Sequence, residues 1–106
     1  FMRQKYNYHQ HKFPIRNVCD PEIEVVQGWA DTTYTFGFHK NVNGKWTITD
    51  LYTGTRIVSR GTRDACLDWV YDNWKKIEDA MQEPWYIQRV IEFRNMLKKE
   101  LGENVE

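Results

Sequence analysis

Residues 34–59 read YTFGFHKNVNGKWTITDLYTGTRIVS, and the alternation within them decides the fold. Tyr34, Phe36 and Phe38 alternate with Thr33, Thr35 and Gly37, the period of a strand with one buried face. Asn41-Val42-Asn43-Gly44 follows, and Asn-Gly suits the tight turn of a hairpin. Trp46 and Ile48 then alternate with Lys45, Thr47 and Thr49, Asp50-Leu51-Tyr52-Thr53-Gly54 supplies a second turn, and a short strand occupies residues 55–59. The stretch therefore predicts an antiparallel meander with an aromatic face made by Tyr34, Phe36, Phe38, Trp46, Ile48 and Ile57.

Upstream, Ile23 and Val25 alternate with Glu22, Glu24 and Val26, which predicts one more strand before the break at Ala30-Asp31-Thr32. Asp20-Pro21 reads as the turn leading into it. Residues 1–20 carry no countable period. They are expected to be an extended, flexible basic arm outside a single domain of residues 21–102.

Downstream the period lengthens. Thr62 is a good helix N-cap, and Cys66, Trp69, Val70, Trp74, Ile77, Ala80 and Met81 fall on one arc at about 100° per residue. Pro84 suits a first helical position, after which Tyr86, Ile87, Val90, Phe93, Leu97 and Leu101 share a face up to the stop signal of Gly102. Residues 103–106 read as a tail. Strands followed by helices predict an α+β fold, a three- to four-stranded antiparallel meander with two C-terminal helices packed on one face.

The 106 residues hold 15 Lys+Arg and 15 Asp+Glu, which excludes a uniformly basic nucleic-acid binder. That balance conceals a gradient. Residues 1–20 carry four basic side chains against one acidic, residues 21–61 four of each, and residues 62–106 seven basic against ten acidic. No apolar run approaches the roughly 18 residues of a membrane helix, so the expected location is cytoplasmic, with no membrane partner.

Catalytic chemistry finds little support in the spacing. The one serine, Ser59, has no local nucleophile motif, and Cys19 and Cys66 form no C-x-x-C pair. Cys66 falls on the apolar helix arc and reads as a buried structural thiol. His9-x-His11 on an extended arm is a poor metal site, and His39 reads as a surface residue. The expectation is a non-enzyme without metal or cofactor.

Three surfaces are candidates for binding. Asp64, Asp68, Asp72, Asp79 and Glu83 form an acidic stripe on the first helix; its plain reading is a solvated face, and its functional reading is a site for a protein partner, such as a basic nucleic-acid-binding protein. Lys45, Thr47, Thr49, Arg56 and Val58 are expected on the open sheet face, with Arg60 and Arg63 at its edge, and long basic residues with threonines on an antiparallel ribbon suit DNA. The basic arm would add phosphate contacts. Finally, Trp29, Tyr52, Trp85 and Tyr86 exceed what a small core readily hides and would serve a homodimer or partner interface.

Gly44-Lys45-Trp46, Gly54-Thr55-Arg56, the run from Arg60 through Gly61, Thr62, Arg63 and Asp64 to Ala65, and Trp69 resemble the arm-type DNA-binding domains of tyrosine integrases from phages and transposons. The resemblance covers residues 33–70. It implies a three-stranded sheet packed on one helix, with the sheet entering the major groove of DNA. The leading expectation is nevertheless a protein-interaction or regulatory module of phage or mobile-element origin, with DNA binding as the alternative.

Overall fold

The computed structural model describes residues 7–102. Five antiparallel strands, β1 (Tyr8–Arg16), β2 (Ile23–Asp31), β3 (Phe36–Lys40), β4 (Trp46–Asp50) and β5 (Thr55–Arg60), are hydrogen-bonded in chain order. Three helices follow: α1 (Arg63–Asp72), α2 (Trp74–Ala80) and α3 (Pro84–Leu101). The fold is thus α+β, a meander succeeded by C-terminal helices, with five strands where three to four were expected.

The additional strand comes from the segment expected to be a flexible arm. Tyr8–Arg16 pairs with β2 along its whole length, from Tyr8↔Asp31 to Arg16↔Ile23. Pro14 is tolerated because β1 is an edge strand, where a missing N–H breaks no inner ladder. Residues 1–6 of the arm and the tail at 103–106 lie outside the described residues.

β2 pairs with β3 only through Trp29↔Phe38 and Ala30↔Gly37, then departs, carrying β1 over the adjacent face of the meander. The crossing is close: a Cβ on Gly28 would stand 1.9 Å from the Phe38 carbonyl oxygen, so only glycine fits there. The far end of β1 reaches the β4–β5 turn, where the Arg16 amide donates to the Gly54 carbonyl at 2.8 Å. The sheet is curled, and its two faces build separate cores.

On the helix side, Phe36, Phe38, Ile48 and Val58 pack against Cys66, Leu67 and Val70 of α1. On the enclosed side Phe13, Ala30 and Leu51 form a smaller core. At the β1–β2 turn, Ile23 packs on Phe93 and Leu97 of α3.

Val58 faces the helix, not the open side, because it lies opposite Ile48 and a bulge separates that pair from Thr49↔Arg56. Tyr34 leaves the aromatic face and occupies the β2–β3 turn at φ 55°. Asp31 organises this turn, its carboxylate accepting the amides of Thr35 at 2.6 Å and Phe36 at 3.0 Å.

α1 is capped as expected, the Ala65 amide donating to the Thr62 hydroxyl at 3.1 Å. The arc running on to Met81 is broken at Asn73, whose side-chain amide donates to the Trp69 carbonyl at 2.9 Å and competes with helix continuation. Pro84 is the first residue of α3, and Gly102 ends it in the left-handed conformation at φ 62°. Among the described residues, no helix is long and apolar enough to cross a membrane.

Candidate functional site

Two of the hollows among the described residues meet at β5, where Thr55 and Arg56 line both. The larger concentration of aromatic surface is in a cleft of about 370 Å³ between the β4–β5 turn, α1–α2 and the first turns of α3. Trp69, Ile77, Met81, Trp85 and Tyr86 give it apolar walls, and Arg56, Lys76 and Arg89 contribute cations. Trp85 is 51% exposed, and the Arg89 guanidinium lies 5.7 Å from its ring centroid, a cation–π distance.

Asp50 lies in this cleft as a structural carboxylate. One oxygen accepts the Tyr52 amide at 3.0 Å and the other the Thr53 hydroxyl at 3.0 Å, which fixes the turn. Burial pushes the Asp50 carboxyl up, against the opposing effect of Tyr86, the Tyr52 amide and Thr53. The Tyr86 hydroxyl is buried and makes no hydrogen bond of standard geometry. Burial, followed by the Asp50 carboxylate, holds its pKa far above the usual phenol range, so it is a neutral O–H near Asp50.

The second hollow, about 420 Å³, lies on the enclosed face between the end of β1 and β3–β5. His39, Thr47 and Thr49 belong to this face. None of the three is a surface residue, because β1 and β2 cross over them: His39 is 7% exposed, Thr47 4% and Thr49 1%. The proposed sheet-face set is thereby divided. Thr47 and Thr49 are buried, Lys45 is in the β3–β4 hairpin, Arg56 and Arg60 are exposed at opposite ends of β5, and Arg63 begins α1 half-buried. Four residues of strand place Arg56 and Arg60 roughly 13 Å apart along the strand.

The acidic stripe is also divided. Asp64, Asp68 and Asp72 are exposed and recur every fourth residue along α1, whereas Asp79 lies beyond the break in α2 and pairs with Lys75 at 3.0 Å. Glu83 caps the start of α3 through its backbone position, without a side-chain hydrogen bond. Of the expected aromatic surface, Trp85 and Tyr52 are exposed, Tyr86 lines the cleft, and Trp29 is half-buried against Trp46 with ring centroids 5.7 Å apart.

The nucleophile candidates are engaged in structure. The Ser59 hydroxyl lies 2.6 Å from that of Thr47, and Cys66 is fully buried with its thiol donating to the Trp46 carbonyl at 3.4 Å. Burial pushes the Cys66 thiol up, away from the reactive thiolate. His9 and His11 are exposed on β1. The cleft residues Asp50, Trp69, Ile77, Met81 and Arg89 were not legible as a site; the surplus of aromatic residues was the only signal in the sequence. No protein-family model matches the chain, and neither a curated protein nor a solved structure matches it.

Proposed function

We propose that this protein is a non-catalytic protein-binding module whose aromatic cleft anchors an apolar side chain from an acidic segment of a partner. The observation that carries this reading is the combination of Trp69, Trp85 and Tyr86 walls with Arg56, Lys76 and Arg89 in one 370 Å³ hollow. Its size lies at the lower end of the range for small-ligand sites and suits a single large side chain. Aromatic walls supply contact area at little rotamer cost, and the cations select neighbouring carboxylates. The engaged Ser59 and buried Cys66 support a binding role over catalysis.

Magnitudes limit what the cleft does alone. Burying an aromatic anchor of about 150–250 Å² yields about 4–6 kcal/mol gross, while association costs about 4–15 kcal/mol. Tight binding therefore needs further contacts around the anchor. Selection from a displayed random-peptide library provides the test. Enriched sequences should carry Trp, Phe or Leu next to Asp or Glu and should lose binding to Trp85→Ala and Arg89→Glu. Enrichment that is indifferent to both changes overturns the reading.

A second reading rests on the exposed four-residue spacing of Asp64, Asp68 and Asp72, which presents carboxylates along one side of α1 to a basic partner. Replacing Asp68 and Asp72 with Lys should abolish retention on a basic DNA-binding protein while the fold persists. Unchanged retention removes this surface from consideration.

A further inference from the structure

The hollow on the enclosed face differs from the aromatic cleft in chemistry. His39, Asn41, Thr47, Thr49 and Arg56 line one side of it, and the end of β1 at Arg16 lines the other. Strand register sets the spacing of this patch. His39 lies opposite Thr47, and Thr49 lies opposite Arg56, so the imidazole, the two threonines and the guanidinium occupy adjacent rows on one face. Such cross-strand neighbours are about 5 Å apart and diagonal ones about 7–8 Å.

His39 is the reason to assign the hollow a ligand. Its side chain is more than nine-tenths buried, and its Nδ1 has no hydrogen-bond partner among the described residues. Leaving a buried polar atom unpaired costs about 1–3 kcal/mol, and neighbouring groups ordinarily repair such a defect. Asn41 interacts with the imidazole, yet Nδ1 stays without a partner. The Asn41 side-chain amide donates to the Thr47 hydroxyl at 2.8 Å, which in turn lies 2.6 Å from the Ser59 hydroxyl. Arg16 on the opposite wall holds Glu92 at 3.0 Å.

The donors select the ligand class. A guanidinium donates only, and a neutral imidazole has one N–H to give. Burial lowers the His39 pKa against the opposing effects of Asn41 and Glu24, so the ring is neutral at pH 7. Arg56 is exposed at the mouth and supplies the positive charge. The complementary group is compact, anionic and rich in acceptor oxygens.

We propose that the hollow beneath β1 binds a small oxyanion, a carboxylate or phosphate group, held at its mouth by Arg56 and hydrogen-bonded inside by His39 Nδ1. The hollow shares Thr55 and Arg56 with the aromatic cleft, whereas His39 lines the hollow alone and is therefore the readout that separates the two sites.

The test follows the imidazole resonances of the three histidines by NMR while inorganic phosphate or sodium acetate is added at pH 7, with sodium chloride at matched ionic strength as reference. The expected result is a saturable perturbation of His39 by at least one oxyanion and none by chloride, with His9 and His11 unmoved. Arg56→Gln, at an exposed position, should keep the dispersed spectrum of a folded chain and weaken the response roughly tenfold or more. A response to phosphate alone identifies a phosphate site, and one to acetate a carboxylate site. Three results overturn the proposal: no His39 response to either anion, a response shared equally with His9 and His11, or a response unaltered in Arg56→Gln.

Discussion

The Phe13 ring meets the His39 imidazole edge-on, with centroids 6.2 Å apart, and through this contact the first strand closes the enclosed side of the sheet. Phe13 is fully buried and packs with Ala30 and Leu51. Phe13→Ala should therefore destabilise the protein by about 3–5 kcal/mol, seen as a lower urea midpoint. A midpoint equal to that of the parent would mean that the strand contributes nothing.

Gly28 sets the clearance at which β2 leaves β3. Gly28→Ala would place a methyl 1.9 Å from the Phe38 carbonyl oxygen, and rigid backbone has to yield. The expected loss is roughly 1–3 kcal/mol or more. Gly61→Ala is the control, since nothing lies within 4 Å of a Cβ there, and its unfolding curve should nearly overlay that of the parent.

The burial of His39 makes stability depend on pH in a definite direction. Its folded pKa is below the ordinary 6.5, so between those two values the unfolded chain binds more protons than the folded one. Stability is complete above pH 6.5 and is lost as pH falls through that window. His39→Gln should flatten this limb of the profile of unfolding free energy against pH. An unchanged slope would show that another group produces it.

Asp50 contributes with the opposite sign. Its folded pKa is raised above the ordinary 3.8, so stability declines as pH rises from that value. Asp50→Asn should remove this decline while retaining one acceptor for the turn, as read by thermal melts across the acid range. A decline of the same size in the variant would assign it elsewhere.

The two thiols should react in sequence. Cys19 is exposed and Cys66 is buried with a raised pKa, so a thiol reagent should label Cys19 at once and Cys66 only on unfolding. Peptide mapping by mass spectrometry distinguishes them. Labelling of both in the folded chain would contradict the packing of α1 on the sheet.

Strands β2 to β5 were legible because apolar alternation and turn residues are local signals, and Thr62, Pro84 and Gly102 marked helix ends for the same reason. β1 was not legible. Phe13 is its only fully buried residue, and Pro14 argues against an ordinary strand, so the pattern carries no visible period. Thr47 and Thr49 misled because a polar residue on a strand reads as solvent-facing, and what covers them is a segment some thirty residues earlier in the chain. The bulge that turns Val58 inward shifts register by one residue without any Gly or Pro to announce it. The aromatic cleft assembles from the β4–β5 turn, α1–α2 and α3, and no local pattern encodes such a convergence. The division of the acidic stripe follows from Asn73, whose competition with the helix backbone outweighed an unbroken apolar arc.

The turn at residues 50–54 has a consequence for labelling and domain insertion. Tips of loops ordinarily accept added residues, because little is anchored there. This one is anchored on three sides: Gly54 receives the Arg16 amide, its Cα hydrogen faces the Phe93 ring where a Cβ would come within 2.5 Å, and Asp50 fastens both Tyr52 and Thr53. Lengthening it would part β1, α3 and the meander together. The β3–β4 hairpin, where Val42 stands free of all neighbours, is the place where an epitope or a fluorescent domain can be spliced without loss of the fold.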